Sequence, residues 1–253
     1  MQRWLKRNTL FFTFALSPLL FSSAQAGGEQ LPSATTPTPN TSFTLKPFKA
    51  YYQAQFDLGI SLSGEAVRQL KATDDGQWLI SMNASAMMAN INESSRFSFD
   101  QQQLRPQQYD YLRKVLGKKK RVQQRFDWAD GTVVSTVKDS STTLTLDQKT
   151  HDKVSYQIQL WHDLKAGLNE MHYTLADGSR LKELEFDRVG EETIDTPAGR
   201  FETIKVARDR GEGSARKTYI WFAKDLDHVI VKLEQIESDG KQYILLLERI
   251  ENP

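Results

Sequence analysis

Apolar and polar residues alternate with a period of two along most of the chain. In FKAYYQAQF the even positions Phe48, Ala50, Tyr52, Ala54 and Phe56 are apolar or aromatic. Leu58, Ile60, Leu62, Ala66 and Leu70 continue that parity, and Trp78, Ile80, Met82, Ala84, Ala86 and Met88 repeat it. Shorter runs follow around Val122/Phe126/Trp128, Val133 to Val137, Leu144/Leu146, Met171/Tyr173/Leu175, Leu184/Phe186, Phe201 to Val206, Tyr219 to Phe222, Val229 to Leu233 and Tyr243 to Leu247. Successive side chains of a strand point to opposite faces, so each run predicts a strand with one face on a core.

Four Asp-Gly pairs, Asp75-Gly76, Asp130-Gly131, Asp177-Gly178 and Asp239-Gly240, fall between such runs. This dipeptide tolerates the positive φ that tight hairpins need, so the strands are expected to connect as an antiparallel meander. The expected fold is mainly β: a single antiparallel, strongly curved sheet, or an open or closed barrel, of about 10–12 strands, since a flat sheet of that width leaves long exposed edges. One segment departs from the period. Val154, Ile158, Trp161 and Leu164 recur at spacings of four, three and three, with Thr150 or Asp152 as a cap and Gly167 at a C′ position. An amphipathic helix over about 152–166 is therefore predicted, its Trp161 face against the sheet.

The two ends change the picture. Residues 1–26 join a basic start (Arg3, Lys6, Arg7), an apolar run from Leu10 to Phe21 and the small-x-small triplet Ala24-Gln25-Ala26. That is the pattern of a secretory signal peptide, with cleavage expected after Ala26 and an apolar run too short to anchor. Residues 27–47, with four prolines among Gly, Ser and Thr, read as a flexible linker. Residues 48–253 then form one β-rich domain, expected in the periplasm and not spanning the membrane after cleavage.

There is no cysteine, which removes disulfides, a lipidated cysteine, a thiolate nucleophile and cysteine metal sites. The chain has 33 Lys and Arg against 32 Asp and Glu. Cleavage removes three cations, so the mature chain is slightly acidic and carries no global field for nucleic acid.

The phrase IDTPAGRF raises the question of an active site. Pro197 suits the second position of a type I turn, and Gly199 suits the left-handed end of a three- to five-residue hairpin loop. Thr196 has no base beside it, so Asp195, Thr196, Pro197 and Gly199 read as a structural turn. This phrase, with Phe201 and then Trp221, Phe222, Ala223 and Asp225, resembles the domain-of-unknown-function 3108 family of exported bacterial proteins, as does FKAYYQAQF. The resemblance implies export and a β-rich fold, and it supplies no catalytic residue. A more distant similarity, of fold pattern alone, is to the curved sheets of periplasmic lipoprotein carriers, which hold acyl chains on a concave apolar face.

Candidate chemistry is sparse. The histidines are His151, His162, His172 and His228, and none has the i, i+4 spacing of a zinc protease. Asp225-Leu226-Asp227-His228 is the densest cluster and is compatible with a solvated turn or a divalent cation. No G-x-S-x-G elbow is present. No metal, cofactor or catalytic residue is therefore assigned. Arg113-Lys114 and Lys118, Lys119, Lys120, Arg121 surround Gly117, a basic rim that suits an anionic partner or guards a strand edge. Trp78, Met82, Met87, Met88 and Ile91 suit an adaptable apolar groove or simply a core.

The expected function is a non-enzymatic envelope protein whose sheet binds an apolar or amphipathic molecule. The expected partners are a lipid, a lipopolysaccharide or another anionic envelope component, and not nucleic acid. Two alternatives stay open: a hydrolase or glycan-processing enzyme using Asp225, Asp227, His228 or His162, and an adaptor docking through the basic hairpin 113–125. Oligomeric state is left open.

Overall fold

Each alternating run holds a strand among the described residues, and Leu58 and Ile60 lie outside them. The computed structural model describes residues 44–57, 61–87, 89–100, 103–211, 213–227 and 229–251. These residues lie in one compact unit, Pro39–Pro253. The N-terminal half of the sheet holds β1 Phe48–Asp57, β2 Ser61–Ala72, β3 Trp78–Ala86, β4 Ala89–Asp100, β5 Gln103–Val115, β6 Lys118–Asp127, β7 Thr132–Val137 and β8 Ser140–Thr145. Then come β9 Thr150–His151, helix α1 Ser155–Lys165, β10 Glu170–Asp177, β11 Arg180–Thr196, β12 Gly199–Asp209, β13 Lys217–Ala223, β14 Ile230–Ile236 and β15 Gln242–Glu251.

All of the strands belong to a single 15-stranded sheet, in the order β8-β7-β6-β5-β4-β3-β2-β1-β15-β14-β13-β12-β11-β10-β9. Two features differ from expectation. The count is fifteen rather than about 10–12, because β4, most of β5 and the two-residue β9 lack clean alternation. The sheet is mixed, since β9 and β10 pair in parallel, Thr174 with Thr150 and Leu175 with His151. A parallel pair needs a crossover, and α1 supplies it. Of the open and closed arrangements expected, the sheet is the open one, for β8 and β9 remain its edges.

All four Asp-Gly pairs lie in connections between adjacent antiparallel strands, with their glycines at positive φ. At β5–β6 the two-residue turn Leu116-Gly117 has φ of 48° and 77°, the positive pair that matches strand twist in a tight hairpin.

Helix α1 begins where Asp152 holds it. The Asp152 carboxylate accepts the N–H groups of Val154 and Ser155 at 2.9 Å each, and Ser155 Oγ accepts the Asp152 N–H at 2.9 Å. This reciprocal pair is a capping box, which satisfies donors that no preceding turn can. At the other end Gly167, at φ 85°, donates to Leu164 O, and Leu168 donates to Asp163 O, both at 3.0 Å. That pairing is a Schellman motif, and it needs a residue without Cβ strain at C′.

Val154, Ile158, Trp161 and Leu164 are all buried, with Trp161 edge-on to Phe48 at 6.3 Å. Gln159 Oε1 accepts the Leu104 N–H at 3.0 Å, and Ser95 Oγ donates to Asp152 at 2.5 Å. The helix is thus tied to β1, β4 and β5. Leu45, in the segment read as linker, is also buried in this core. Across the sheet, Gln124 Nε2 on β6 donates to Ala176 O on β10 at 3.0 Å, although these strands are third and fourteenth in the hydrogen-bonded order.

Candidate functional site

The face of the sheet that carries α1 is not filled evenly. Near the helix its residues are fully buried, and toward the other end of the same strands they become half-buried or exposed. On β3 Ile80 is buried, whereas Met82, Ala84 and Ala86 are half-buried. On β4 Phe97 and Ser95 give way to Glu93 and Ile91. On β5 Tyr109 gives way to Tyr111 and then the exposed Arg113. On β6 Val122 gives way to Lys120 and Lys118. The same gradient runs from Val206 to Arg208 on β12, from Val231 to Leu233 and Gln235 on β14, and from Leu247 to Leu245 and Tyr243 on β15. Alternation fixes these residues on one face, so an apolar wall of Met82, Ile91, Leu233 and Leu245 is left incompletely covered.

Charged groups stand where the filled core ends. Arg68 is cross-strand neighbour to Ala50 and Met82, Met82 to Glu93, and Glu93 to Tyr111. Arg68 is 7% exposed, and its Nε has no hydrogen-bond partner among the described residues. Burial pulls its pKa down, against the opposing influence of Tyr52, Tyr156 and Glu93. The Tyr109 hydroxyl donates to Glu93 Oε1. Burial pushes the Glu93 carboxyl up, with the Asp152 charge adding to it.

Tyr52 is pushed up to about 12 by burial, and its hydroxyl donates to Ile230 O at 2.9 Å. From the other half of the sheet come Arg208 and Arg210. Each has a buried Nε without a partner among the described residues. Arg210 donates through Nη2 to Thr218 Oγ1 at 3.0 Å. Burial and the charges of Arg208 and Arg216 lower its pKa to about 10. On α1, burial pushes the Tyr156 hydroxyl up, against the charges of Arg208 and Arg68. Its ring stacks on Phe186 at 5.6 Å.

The residues singled out in the sequence are dispersed. Met82 lies in the row beside Arg68 and Glu93. Trp78 packs at the edge of the core. Met87 is 82% exposed at the β3–β4 turn, beside a hollow of about 530 Å³ lined mainly from the opposite face by Gln53, Gln55, Ser63 and Glu65. Met88 and His228 lie outside the described residues. Lys118, Lys119, Lys120 and Arg121 are exposed. Lys120 pairs with Arg113 on the α1 side of the sheet, so part of this basic rim borders the half-buried region.

Asp227 is held by Lys165 at the end of α1, and Asp225 is exposed. His162, in α1, sits against Asp163 at 2.9 Å. Among the described residues no group of three or more His, Asp or Glu side chains is placed to hold a metal. No described helix is long and apolar enough to cross a membrane.

Asp195, Thr196, Pro197 and Gly199 form a hairpin tip. Thr196 pairs with Gly199, so the connection has two residues rather than the three to five expected. Thr196 Oγ1 accepts the Ala198 N–H at 3.2 Å, and Ala198 N–H also points to Leu247 O at 3.1 Å. Gly199 has φ 129°, a region that side-chain-bearing residues rarely enter.

A second polar cluster surrounds a cleft of about 230 Å³ that includes His151, Asp163, His172 and Tyr173. Asp163 accepts from Tyr173 at 2.7 Å and from Gln159 at 2.9 Å. These bonds, with the contact to His162, hold its carboxyl below the usual range against the effect of burial. His151 is 3% exposed, and burial lowers it to about 4.

A buried neutral histidine has a signed consequence. Its folded pKa lies below the unfolded value, so the unfolded chain takes up the proton first. Stability associated with this group is full above pH 6.5 and falls as pH drops toward 4. The shift corresponds to about 3 kcal/mol. Urea unfolding at pH 7 and at pH 4 is expected to show that His151→Gln loses about 3 kcal/mol less than wild type over this window.

The sequence from residue 48 to 246 matches DUF3108, described as a protein of unknown function, and the chain belongs to this family. Among solved structures it is similar to a β-barrel-like protein of domain of unknown function DUF1849 from Brucella abortus, with a TM-score of 0.55 and 12% identity, over 82% of this chain and 98% of that one. Two further matches have TM-scores of 0.32. One is a putative exported protein with a YmcC-like fold from Bacteroides fragilis, 14% identical over 81% of this chain and 95% of that one. The other is a putative lipoprotein from Parabacteroides distasonis, 12% identical over 82% and 96%. No curated protein matches the sequence. The barrel-like neighbour shares the fold.

The residues that carried the family resemblance serve the framework. Phe201, Phe222 and Ala223 are buried, and Trp221 Nε1 donates to Glu192 at 2.6 Å.

Proposed function

We propose that this is an exported, periplasmic, non-enzymatic binding protein. In this reading the sheet curves around α1 as an open barrel, and its half-filled face holds the apolar part of an amphipathic envelope molecule. The carrying observation is the burial gradient, shared by strands from both halves of the sheet, which leaves Met82, Ile91, Leu233 and Leu245 half-covered on the core side. Soluble proteins bury such residues when nothing else covers them, and a partly apolar concavity with a few polar groups is the usual form of a small-molecule site. The contact between Gln124 and Ala176 supports curvature, and the barrel-like fold of the Brucella protein agrees with it. The N-terminal pattern of basic, apolar and small residues supports export.

The test is native mass spectrometry of protein purified from the periplasm without detergent, followed by organic extraction. A bound acyl-chain species released by the solvent is expected. Protein that is free of ligand, and that stays so after incubation with envelope lipid extract, contradicts the reading.

A further inference from the structure

We infer that Arg68, Arg208 and Arg210 together receive the anionic headgroup of an acyl-chain ligand, a phosphate or carboxylate oxyanion, with the hydroxyl of Tyr156 beside it. This deepens the proposed function and rests on it. Arginine does not discharge in a protein, and an unpaired buried charge opposes folding. Yet Arg68, only 7% exposed, has no ion pair among the described residues. Glu93 acts on it from across the strands but makes no ion pair with it, and its carboxyl accepts the Tyr109 hydroxyl.

Arg208 is likewise unpaired among the described residues. Among the described residues Arg210 is bonded only to the neutral Thr218, while the nearby Arg216 is matched by Glu237 at 3.0 Å. The three Nε atoms without partners, those of Arg68, Arg208 and Arg210, are the significant detail. Nε and one Nη make the side-on fork that grips a carboxylate or phosphate with two parallel bonds, and in all three residues the Nε half of that fork is buried without a partner among the described residues. Arg208 is the cross-strand neighbour of Phe186, on which Tyr156 stacks, and Arg68 also acts on that tyrosine's hydroxyl; like charges so placed are stable together when an anion lies between them. The apolar wall of Met82, Ile91, Leu233 and Leu245 on the same face suits the chain attached to it, and Arg113 and Lys120 extend the positive potential to the rim.

The experiment titrates the full domain with dodecyl phosphate, dodecanoate and dodecanol below their aggregation concentrations, and with Arg68→Met and Arg208→Met variants. Wild type is expected to bind at least one of the acids about ten- to a hundredfold more tightly than dodecanol, the factor charge-assisted bonds supply. Each variant is expected to fall to the dodecanol level for the acids with dodecanol affinity unchanged. Preference for the phosphate points to a phospholipid-type headgroup, and preference for dodecanoate to a free fatty acid.

The ligand-free Arg68→Met protein is expected to melt at a higher temperature than wild type, where a structural arginine would give a lower one. Equal wild-type affinity for acid and alcohol overturns the headgroup inference and leaves the chain-binding reading standing, a comparison that needs no variant to fold. Absence of binding to all three overturns both.

Discussion

Replacing Asp152 by alanine is expected to lower the unfolding free energy by about 3–4 kcal/mol, because a helix cap of about 1–2 kcal/mol and the partner of a buried hydroxyl are lost together. Asp152 is fully buried. It receives Val154 N–H, Ser155 N–H and Ser95 Oγ, so one side chain both starts α1 and ties it to β4. Alanine leaves those donors with no acceptor in a dry site. Asparagine in its place is a different case. Burial pushes the Asp152 carboxyl up, so its ionisation opposes folding as pH rises through the folded pKa. An amide keeps an acceptor without that opposition. Asp152→Asn is expected to stay within about 1 kcal/mol of wild type in urea denaturation. Equal losses for the alanine and asparagine variants would show that the charge, rather than the acceptor geometry, matters.

Phe186→Ala is expected to cost about 3–5 kcal/mol, the range for deleting a fully buried aromatic ring that leaves a cavity. Phe186 is 1% exposed, stacks on Tyr156 and lies 6.5 Å from Tyr173. Its loss also removes the ring on which Tyr156 stacks. A Phe186→Leu variant fills most of the volume and is expected to recover more than half of the loss in thermal or urea unfolding. Little difference between the leucine and alanine variants would mean that the site collapses around the missing ring.

How much of this was legible follows from where alternation holds. Phe48 to Phe56 and Trp78 to Ala86 read as strands because every inward position there is apolar. The four Asp-Gly turns and the Val154/Ile158/Trp161/Leu164 stripe were legible for the same reason, since one residue type satisfies one local geometry. β4 and β5 did not stand out. Their inward rows carry Glu93 and Ser95 on β4, and the bulge between Arg96 and Phe97 puts Pro106 opposite Phe97. The polar interior is thus what hid the strands that build it.

Its signal was nonetheless present. Arg68 occupies the apolar parity between Ala66 and Leu70, and Arg208 continues Ile204 and Val206. A charge at a core position of a strand is a site marker that a search for catalytic motifs passes over. That Arg68 and Arg208 both act on Tyr156 was not legible, since it depends on strands that stand seventh and twelfth in the sheet. Met87 sits at the exposed β3–β4 turn, apart from the half-buried Met82.

The central claim, that the half-filled face of the sheet holds an acyl chain, is tested most directly by photolabelling. A dodecanoate analogue with a diazirine near the chain end would be incubated with the protein, activated, and located by peptide mass mapping. Labels are predicted on Met82, Ile91, Leu233 and Leu245, and dodecyl phosphate or unlabelled dodecanoate in excess is predicted to suppress them. Labels confined to the outward positions Gln53, Gln55 and Asn83, or spread over the surface without competition, would contradict the account.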